Sequence, residues 1–519
     1  MAKATPKAEP EVGGLSRTQF EAALDAHGIK LRGEDSDSVF ALATWLRDGV
    51  AALGETFPSL DPVAADAADL SIIQAGRQLR NGRLTSVALV RAVLERIGER
   101  DADYRSFYVV DADRALEAAG RADAELAADL DRGPLHGIPV GVKDMIDVAG
   151  LATTAGSKGR RGVLADNHAE VVDRLIAGGA IIMGKLATYE WGTVGPAYDT
   201  LYPPARNPWS LEHITGGSSS GCAAAVAGGL LRTTIGTDTG GSVRGPAAYC
   251  GIVGLKPTYG AVPTRGTLGM SPTMDHVGPM SATSAEAALT LDVMTGRVGD
   301  ESALRLIGSS IAGLRIGYAR NWFARDPQAS RDVVAAMDAA VSTLSELGAL
   351  VEQVELPDYY AIEVAAAAVL HAEGFVGHAK ELAANPQGFG RKTYQSIVAG
   401  AAVTPAELAE ATRAGEAFRA TLDRDVFSRF DAIVTAGTLT PALPVSLFGE
   451  RSVWTPMRTI PFNLSGHPVL MLPMGFSDGL PLGMQVVGKH HDEARICQIG
   501  DAFESATDFS ALKAPQPPR

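Results

Sequence analysis

The pattern of apolar and polar positions divides the chain into three stretches. Residues 1–15 carry Lys, Pro, Glu and Gly with no apolar period and are expected to be disordered. From Ser16 the character changes. Ser16-Arg-Thr-Gln19 matches a capping box, and Val39, Leu42, Leu46, Val50 and Leu53 recur at helical spacing, which predicts a helical extension over 16–60 that Pro58 interrupts. With no reactive constellation in it, this extension is expected to serve packing or dimerisation. Residues 61–519 alternate helical and strand periods and are expected to form one α/β domain. Helices are predicted over 86–100, 111–130, 168–178 and 330–347. Strands are predicted over 138–142, 180–183, 314–318, 350–356, 432–435, 469–472 and 484–487. Such alternation argues for an α/β chain with a parallel or mixed sheet covered by helices. No internal repeat is visible.

Composition narrows the class. The 519 residues include 57 Gly and are 46% hydrophobic, 6% aromatic and 20% charged, enough to bury a large core. The glycines have no Gly-X-Y period, which excludes collagen, and with 29 Pro they stay below the low-complexity range. Net charge is −14, so whole-chain electrostatics favours neither nucleic acid nor anionic lipid. Neither a nucleic-acid nor a membrane partner is therefore expected, and a second copy in a homodimer is the one protein partner left open. Cys222, Cys250 and Cys497 offer neither a disulfide framework nor metal spacing. The N-terminus lacks the apolar segment of a signal peptide, so a cytoplasmic location is expected.

The glycines concentrate between residues 216 and 260, in Thr215-Gly-Gly-Ser-Ser-Ser-Gly-Cys222, in Gly236-Thr-Asp-Thr-Gly-Gly-Ser-Val-Arg244 and in the run from Cys250 to Gly260. Loops this poor in Cβ atoms let backbone N–H groups approach a ligand and form an anion nest. Flanking apolar runs at 223–226 and 230–235 argue that the first two are buried rather than linkers. Two generic motifs fail on context. Gly217-Ser-Ser-Ser-Gly221 fits the nucleophile elbow of an α/β-hydrolase esterase with Ser219 as nucleophile, but residues 206–213 do not read as the strand it needs. Residues 179–185 resemble a P-loop, yet Leu186 follows where Ser or Thr should hold magnesium. Lys143, ending the apolar strand 138–142, stands out. Burial disfavours its ammonium form, so the amine can act as a base near neutrality.

Together, Lys143 in Gly-Val-Lys-Asp, the Gly-Gly-Ser-Ser-Ser-Gly run and Gly-Thr-Asp-Thr-Gly-Gly-Ser-Val-Arg resemble the amidase signature family in order and spacing. The resemblance runs from about residue 70 to Gly488. It implies the amidase signature fold, a central mixed sheet with helices on both faces, and amide hydrolysis by a Ser-Ser-Lys triad. Ser242 would be the acylated nucleophile, Ser218 the bridging serine after a cis peptide, and Lys143 the base. The oxyanion would meet the N–H groups of Thr239, Gly240, Gly241 and Ser242. Asp238 and Arg244, of opposite charge beside Ser242, read as an ion pair holding this loop. His136 and His276 come with no evident acid partner and His490-His491 sits on a polar segment without ligand spacing, so structural or surface roles are expected for them, and Cys222 and Cys250 read as core residues. No metal and no organic cofactor is implied.

Within the family, the helical extension and the absence of a tyrosine-rich helix over 389–418 favour a free-standing amidase over the alternative, the A subunit of a glutamyl-tRNA(Gln) amidotransferase. Trp191, Gly192 and Thr193 match the stretch bordering the family's acyl pocket, and Trp454 lies in a variable segment expected to cover it. The two tryptophans point either to an apolar or aromatic substrate group or to core packing residues. Aryl amides, aliphatic amides, carbamates and related esters all remain open.

Overall fold

The computed structural model describes residues 66–449 and 453–516 throughout, with scattered positions between 17 and 44. The chain divides into two units, Met1–Ala64 and Ala65–Arg519. In the first, residues 36–44 are helical, Phe40 packs on Phe20 with centroids 5.6 Å apart, and Leu42 is exposed. Residues 1–15, most of the predicted capping box, and Leu46, Val50 and Leu53 lie outside the described residues.

The second unit is built on one mixed sheet of eleven strands among the described residues. In chain order these are β1 (Phe107–Val110), β2 (Pro139–Lys143), β3 (Ile181–Leu186), β4 (Thr233–Asp238), β5 (Val253–Lys256) and β6 (His276–Ser281). They continue as β7 (Arg315–Tyr318), β8 (Leu350–Gln353), β9 (Ala432–Ala436), β10 (Val469–Ser477) and β11 (Leu480–Gly488). Across the sheet the order is β1-β3-β2-β4-β6-β5-β10-β11-β9-β7-β8. β3, β2 and β4 are parallel, as are β9, β7 and β8, and antiparallel pairs join the two groups.

Strands β2, β4, β6, β9 and β11 are buried at every position. Successive side chains of a strand point to opposite faces, so burial at every position requires cover on both. One layer includes the helices Ser86–Tyr104, Ser220–Ala227 and Arg244–Cys250, which share a core with β3. Another core gathers Trp322, Phe418 and Phe462 against Val469 of β10 and Val487 of β11. Local chemistry sets the helix ends. Thr85 caps Ser86–Tyr104 by accepting from Ala88 N, and Arg105, with φ of 52°, turns the chain out at its far end.

Each predicted helix and strand has a counterpart, offset by a few residues at its ends. Among the described residues four strands, β1, β4, β5 and β6, and nine α-helices, the 26-residue Tyr359–Ala384 among them, exceed the expectation. In β4 and β6 the hidden signal is polar. Thr233 Oγ1 bonds Ser281 Oγ at 2.8 Å and Thr290 Oγ1 at 3.0 Å, so these strands bury hydroxyls that satisfy one another instead of an apolar run.

This topology also places the site. β2 lies between β3 and β4 and pairs in parallel with both, so the carboxyl ends of the three strands lie at one edge of the sheet. A crevice outside the carboxyl ends of parallel strands is where ligands bind in sheets of this kind. Lys143 and Asp238 end β2 and β4 there. Leu472, fully buried in β10, tests the core: Leu472→Ala should lower unfolding free energy by about 2–5 kcal/mol in chemical denaturation.

Candidate active site

Lys143 is the residue on which the site is built. Its side chain is 0% exposed, and its Nζ lies 2.7 Å from Ser218 Oγ and 2.7 Å from Thr237 Oγ1. Burial lowers its pKa to about 7 against the weaker opposing pull of Asp238 and Asp275. Two hydroxyls and no carboxylate in contact suit a neutral amine, because one hydroxyl can donate into its lone pair.

Ser218 stands just before the helix Ser220–Ala227, and the Gly217–Ser218 peptide is cis. A Cβ on Gly217 would lie 2.1 Å from the Tyr189 ring, so only glycine fits under that tyrosine. Ser219 is fully buried, and its hydroxyl donates to Thr237 O at 3.1 Å and accepts from Thr237 N at 3.3 Å. It does not line the pocket, and residues 206–213 form no strand, so the esterase geometry centred on Ser219 is not built here.

Ser242 precedes the helix Arg244–Cys250 and, like Ser396, is half-buried and lines the pocket. No hydrogen bond joins its hydroxyl to Ser218 among the described residues. Catalytic hydrogen bonds often tighten only once substrate is bound. Behind Ser242, Asp238 gathers the loop: it accepts from Gly241 N (2.8 Å), Val243 N (3.1 Å), Arg244 Nε (3.0 Å) and Asn463 Nδ2 (2.8 Å). Burial pushes the Asp238 carboxyl up, but Arg244 and Asn463 outweigh it and hold it well below the usual carboxylate range. Arg244, also fully buried, reaches Thr459 O (2.8 Å), Gln485 Oε1 (3.1 Å) and Asn463 Oδ1 (2.6 Å). The pair is an internal strut, and breaking it would strand a buried charge.

This strut alters the expected oxyanion donors. The Gly241 N–H is committed to Asp238, whereas those of Thr239, Gly240 and Ser242 make no hydrogen bond among the described residues. Gly241 serves by shape instead: its φ is +127°, and a Cβ would fall 2.0 Å from Thr459 Oγ1.

The predicted pocket residues separate. Gly192, Thr193 and Trp454 line the cavity beside Ser242 together with Met270, Leu370 and Ser396. Trp454 is 55% exposed and meets His371 edge-on. Trp191 does not line the cavity. Its backbone is left-handed, with φ of 54°, which turns the indole into a core beside Met145, His378 and Phe389. Adjacency to Gly192 in sequence carries no information about that direction. His136 bonds Glu125 Oε2 at 3.1 Å, an acid partner the sequence does not reveal, and His276 bonds Met274 O and Lys256. Cys222 is buried, with its thiol pushed up to about 12 by burial.

Four contributing residues escape sequence reasoning: Thr237, Ser396, Asn463 and Asp275. The available signal for Thr237 is its alternation with Thr239 along a strand. Asp275 accepts from Thr239 Oγ1 at 2.5 Å, and from Met270 N and Ser271 N at 2.9 and 3.0 Å, so it ties the loop before Ser242 to the pocket wall. Burial pushes its carboxyl up to about 6. An amide here keeps both N–H partners only by turning its NH2 to Thr239 Oγ1, which reverses that hydrogen bond and frees the Thr239 hydroxyl proton to turn away. Asp275→Asn should therefore lower kcat about ten- to a hundredfold with a smaller change in KM, read from steady-state kinetics.

Comparison with known proteins gives this geometry its relatives. Residues 88–497 match the Amidase family. The A subunit of glutamyl-tRNA(Gln) amidotransferase from Chloroflexus aggregans is 36% identical over 478 residues, covering 85% of this chain and 97% of the relative. The peptide amidase of Stenotrophomonas maltophilia superposes with a TM-score of 0.75 at 28% identity, covering 88% of this chain and 99% of that one. A vestigial complex described as revealing the origins of an s-triazine catabolic enzyme reaches 0.78 at 30% identity, covering 84% and 98%. The amidotransferase relatives overturn the expected partner set, which excludes nucleic acid. Net charge sums over a whole chain and does not describe an assembly in which another component can present the basic surface. The chain belongs to the amidase signature family.

Proposed function

We propose that this chain cleaves the C–N bond of a carboxamide by acyl transfer to Ser242. The observation that carries the reading is the buried Lys143 amine, 2.7 Å from Ser218 Oγ, with a pKa lowered by burial to about 7. As a neutral base it takes the Ser218 proton while Ser218 takes that of Ser242, whose oxygen attacks the carbonyl carbon. The oxyanion is met by the free N–H groups of Thr239, Gly240 and Ser242. Collapse breaks the C–N bond, the same relay returns the proton to the leaving nitrogen, and water then hydrolyses the acyl-enzyme.

Of two finer readings, the curated relatives support the alternative raised from the sequence: the amide-cleaving A subunit of a glutamyl-tRNA(Gln) amidotransferase, working with protein partners and tRNA. The second, a free-standing amidase for an uncharged amide, is favoured by the pocket. No charged side chain is among the described residues that line it, and the buried Ser396 hydroxyl has no protein partner. A zwitterionic amino acid would find no counter-charge there. Assays of the purified chain on glutamine and on uncharged amides separate the two. Glutaminase activity that appears only with partner proteins supports the first, and hydrolysis of a simple amide by the lone chain supports the second.

Ser242→Ala should lower turnover of every substrate by on the order of 10⁴-fold or more, and more than a trace of remaining activity would contradict the assignment. Because the neutral form of Lys143 is the active one, kcat/KM should rise with pH through about 7 as its ammonium loses a proton. A profile with its only rise near pH 10 would contradict this.

A further inference from the structure

We propose that Asp423, His467 and His490 form a site for one divalent transition-metal ion of the zinc class, built from residues outside the acyl-transfer machinery. One donor atom from each lies within 4.8 Å of the others. His467 is fully buried, and its Nε2 lies 3.0 Å from Asp423 Oδ1. The His490 ring packs on the His467 ring with centroids 4.0 Å apart, and its Nε2 is buried without a hydrogen-bond partner. Buried polar atoms are normally paired, so an orphaned imidazole nitrogen beside a histidine–carboxylate pair points to a ligand that engages it, and a metal ion does so. The Asp423 side chain is 49% exposed, which opens the trio to solvent.

The backbone is irregular at each donor. Asp423 sits in the π-helical turn Leu422–Val426, a feature that recurs at functional sites. His467 follows Gly466, with φ of 78°, and His490 precedes His491, held at 63° without being glycine. Ser465 Oγ lies 3.1 Å from His467 Nδ1, and Phe427 stacks on the same ring at 5.0 Å, so its orientation is set from outside.

Donor chemistry selects the ion. Two imidazoles and one carboxylate suit zinc, cobalt or nickel better than magnesium or calcium, and three protein ligands leave one position open. Metal–ligand bonds of about 2.0–2.1 Å place tetrahedral donors roughly 3.4 Å apart, so the half-buried His490 ring has to close by about an ångström or more. On binding, the His467–Asp423 hydrogen bond gives way to the metal. The proton on His467 Nε2 transfers to Nδ1, which then donates to Ser465 Oγ, so no proton is lost. Arg419, whose Nε donates to Ser465 O at 2.8 Å, adds a positive charge beside the site that the Asp423 carboxylate offsets. The same residues do not form a hydrolytic Ser-His-Asp set, because Ser465 is fully buried and no substrate reaches it.

The test uses the full chain, free of affinity tag and stripped with chelator. Calorimetric titration with Zn²⁺ should show one equivalent bound, and Co²⁺ should give the visible absorption of a four-coordinate site. His490→Gln and Asp423→Asn, at the two less buried positions, should each weaken binding at least about tenfold. The rise in unfolding temperature with Zn²⁺ should be lost in both variants, with circular dichroism of the metal-free proteins as the control for folding. Absence of stoichiometric binding by the unaltered chain, or equal affinity in both variants, would overturn the proposal.

Discussion

The chemistry proposed for this chain depends on the burial of one amine. A lysine in water is an ammonium; at the end of β2, with only Ser218 and Thr237 hydroxyls in contact, the same group loses its hydration and gains no carboxylate in exchange. Desolvation is strong enough to bring its pKa to about 7. The rest of the second unit can be read as what this placement requires. Parallel neighbours on both sides of β2 bury the lysine stem, and the turn at Gly217–Ser218 delivers a hydroxyl to its amine.

The nearby Lys185 shows the contrast. It is also fully buried, but its Nζ lies 3.2 Å from Asp144 Oδ1. A carboxylate partner makes that lysine a structural cross-link, and its absence leaves Lys143 free to exchange a proton. Around Ser242 the logic is reversed. There charge is fully paired, with Asp238 and Arg244 locked to each other and to Asn463, so that the neutral N–H groups of the loop keep their direction. A preorganised donor set of this kind costs no rearrangement as the oxyanion forms.

Much of this is legible in the sequence, and the gaps have physical causes. Apolar strands such as β2 and β10 declare themselves by composition, and the glycine-rich loops by motif. β4 and β6 do not, because they bury threonine, serine, glycine and proline whose polar groups are satisfied across the sheet. The helix Tyr359–Ala384 buries residues on several sides and shows little polar stripe. At the site, Lys143, Ser218 and Ser242 are readable because motif order carries them, whereas Asp275 and Asn463 act from segments remote in sequence. Motif position credits Gly241 with an oxyanion N–H that Asp238 takes, and Trp191 with a pocket it turns away from. Asp423, His467 and His490 are invisible for the same reason as Asp275: three segments supply one donor each.

The most direct test of the central claim is the ionisation of Lys143 itself. Heteronuclear NMR of protein labelled at lysine Nζ, with the resonance assigned by its loss in Lys143→Met, follows that group alone through a pH titration. A midpoint near 7 is expected. A Lys143 that stays protonated to about pH 10, as an ordinary lysine does, would contradict it.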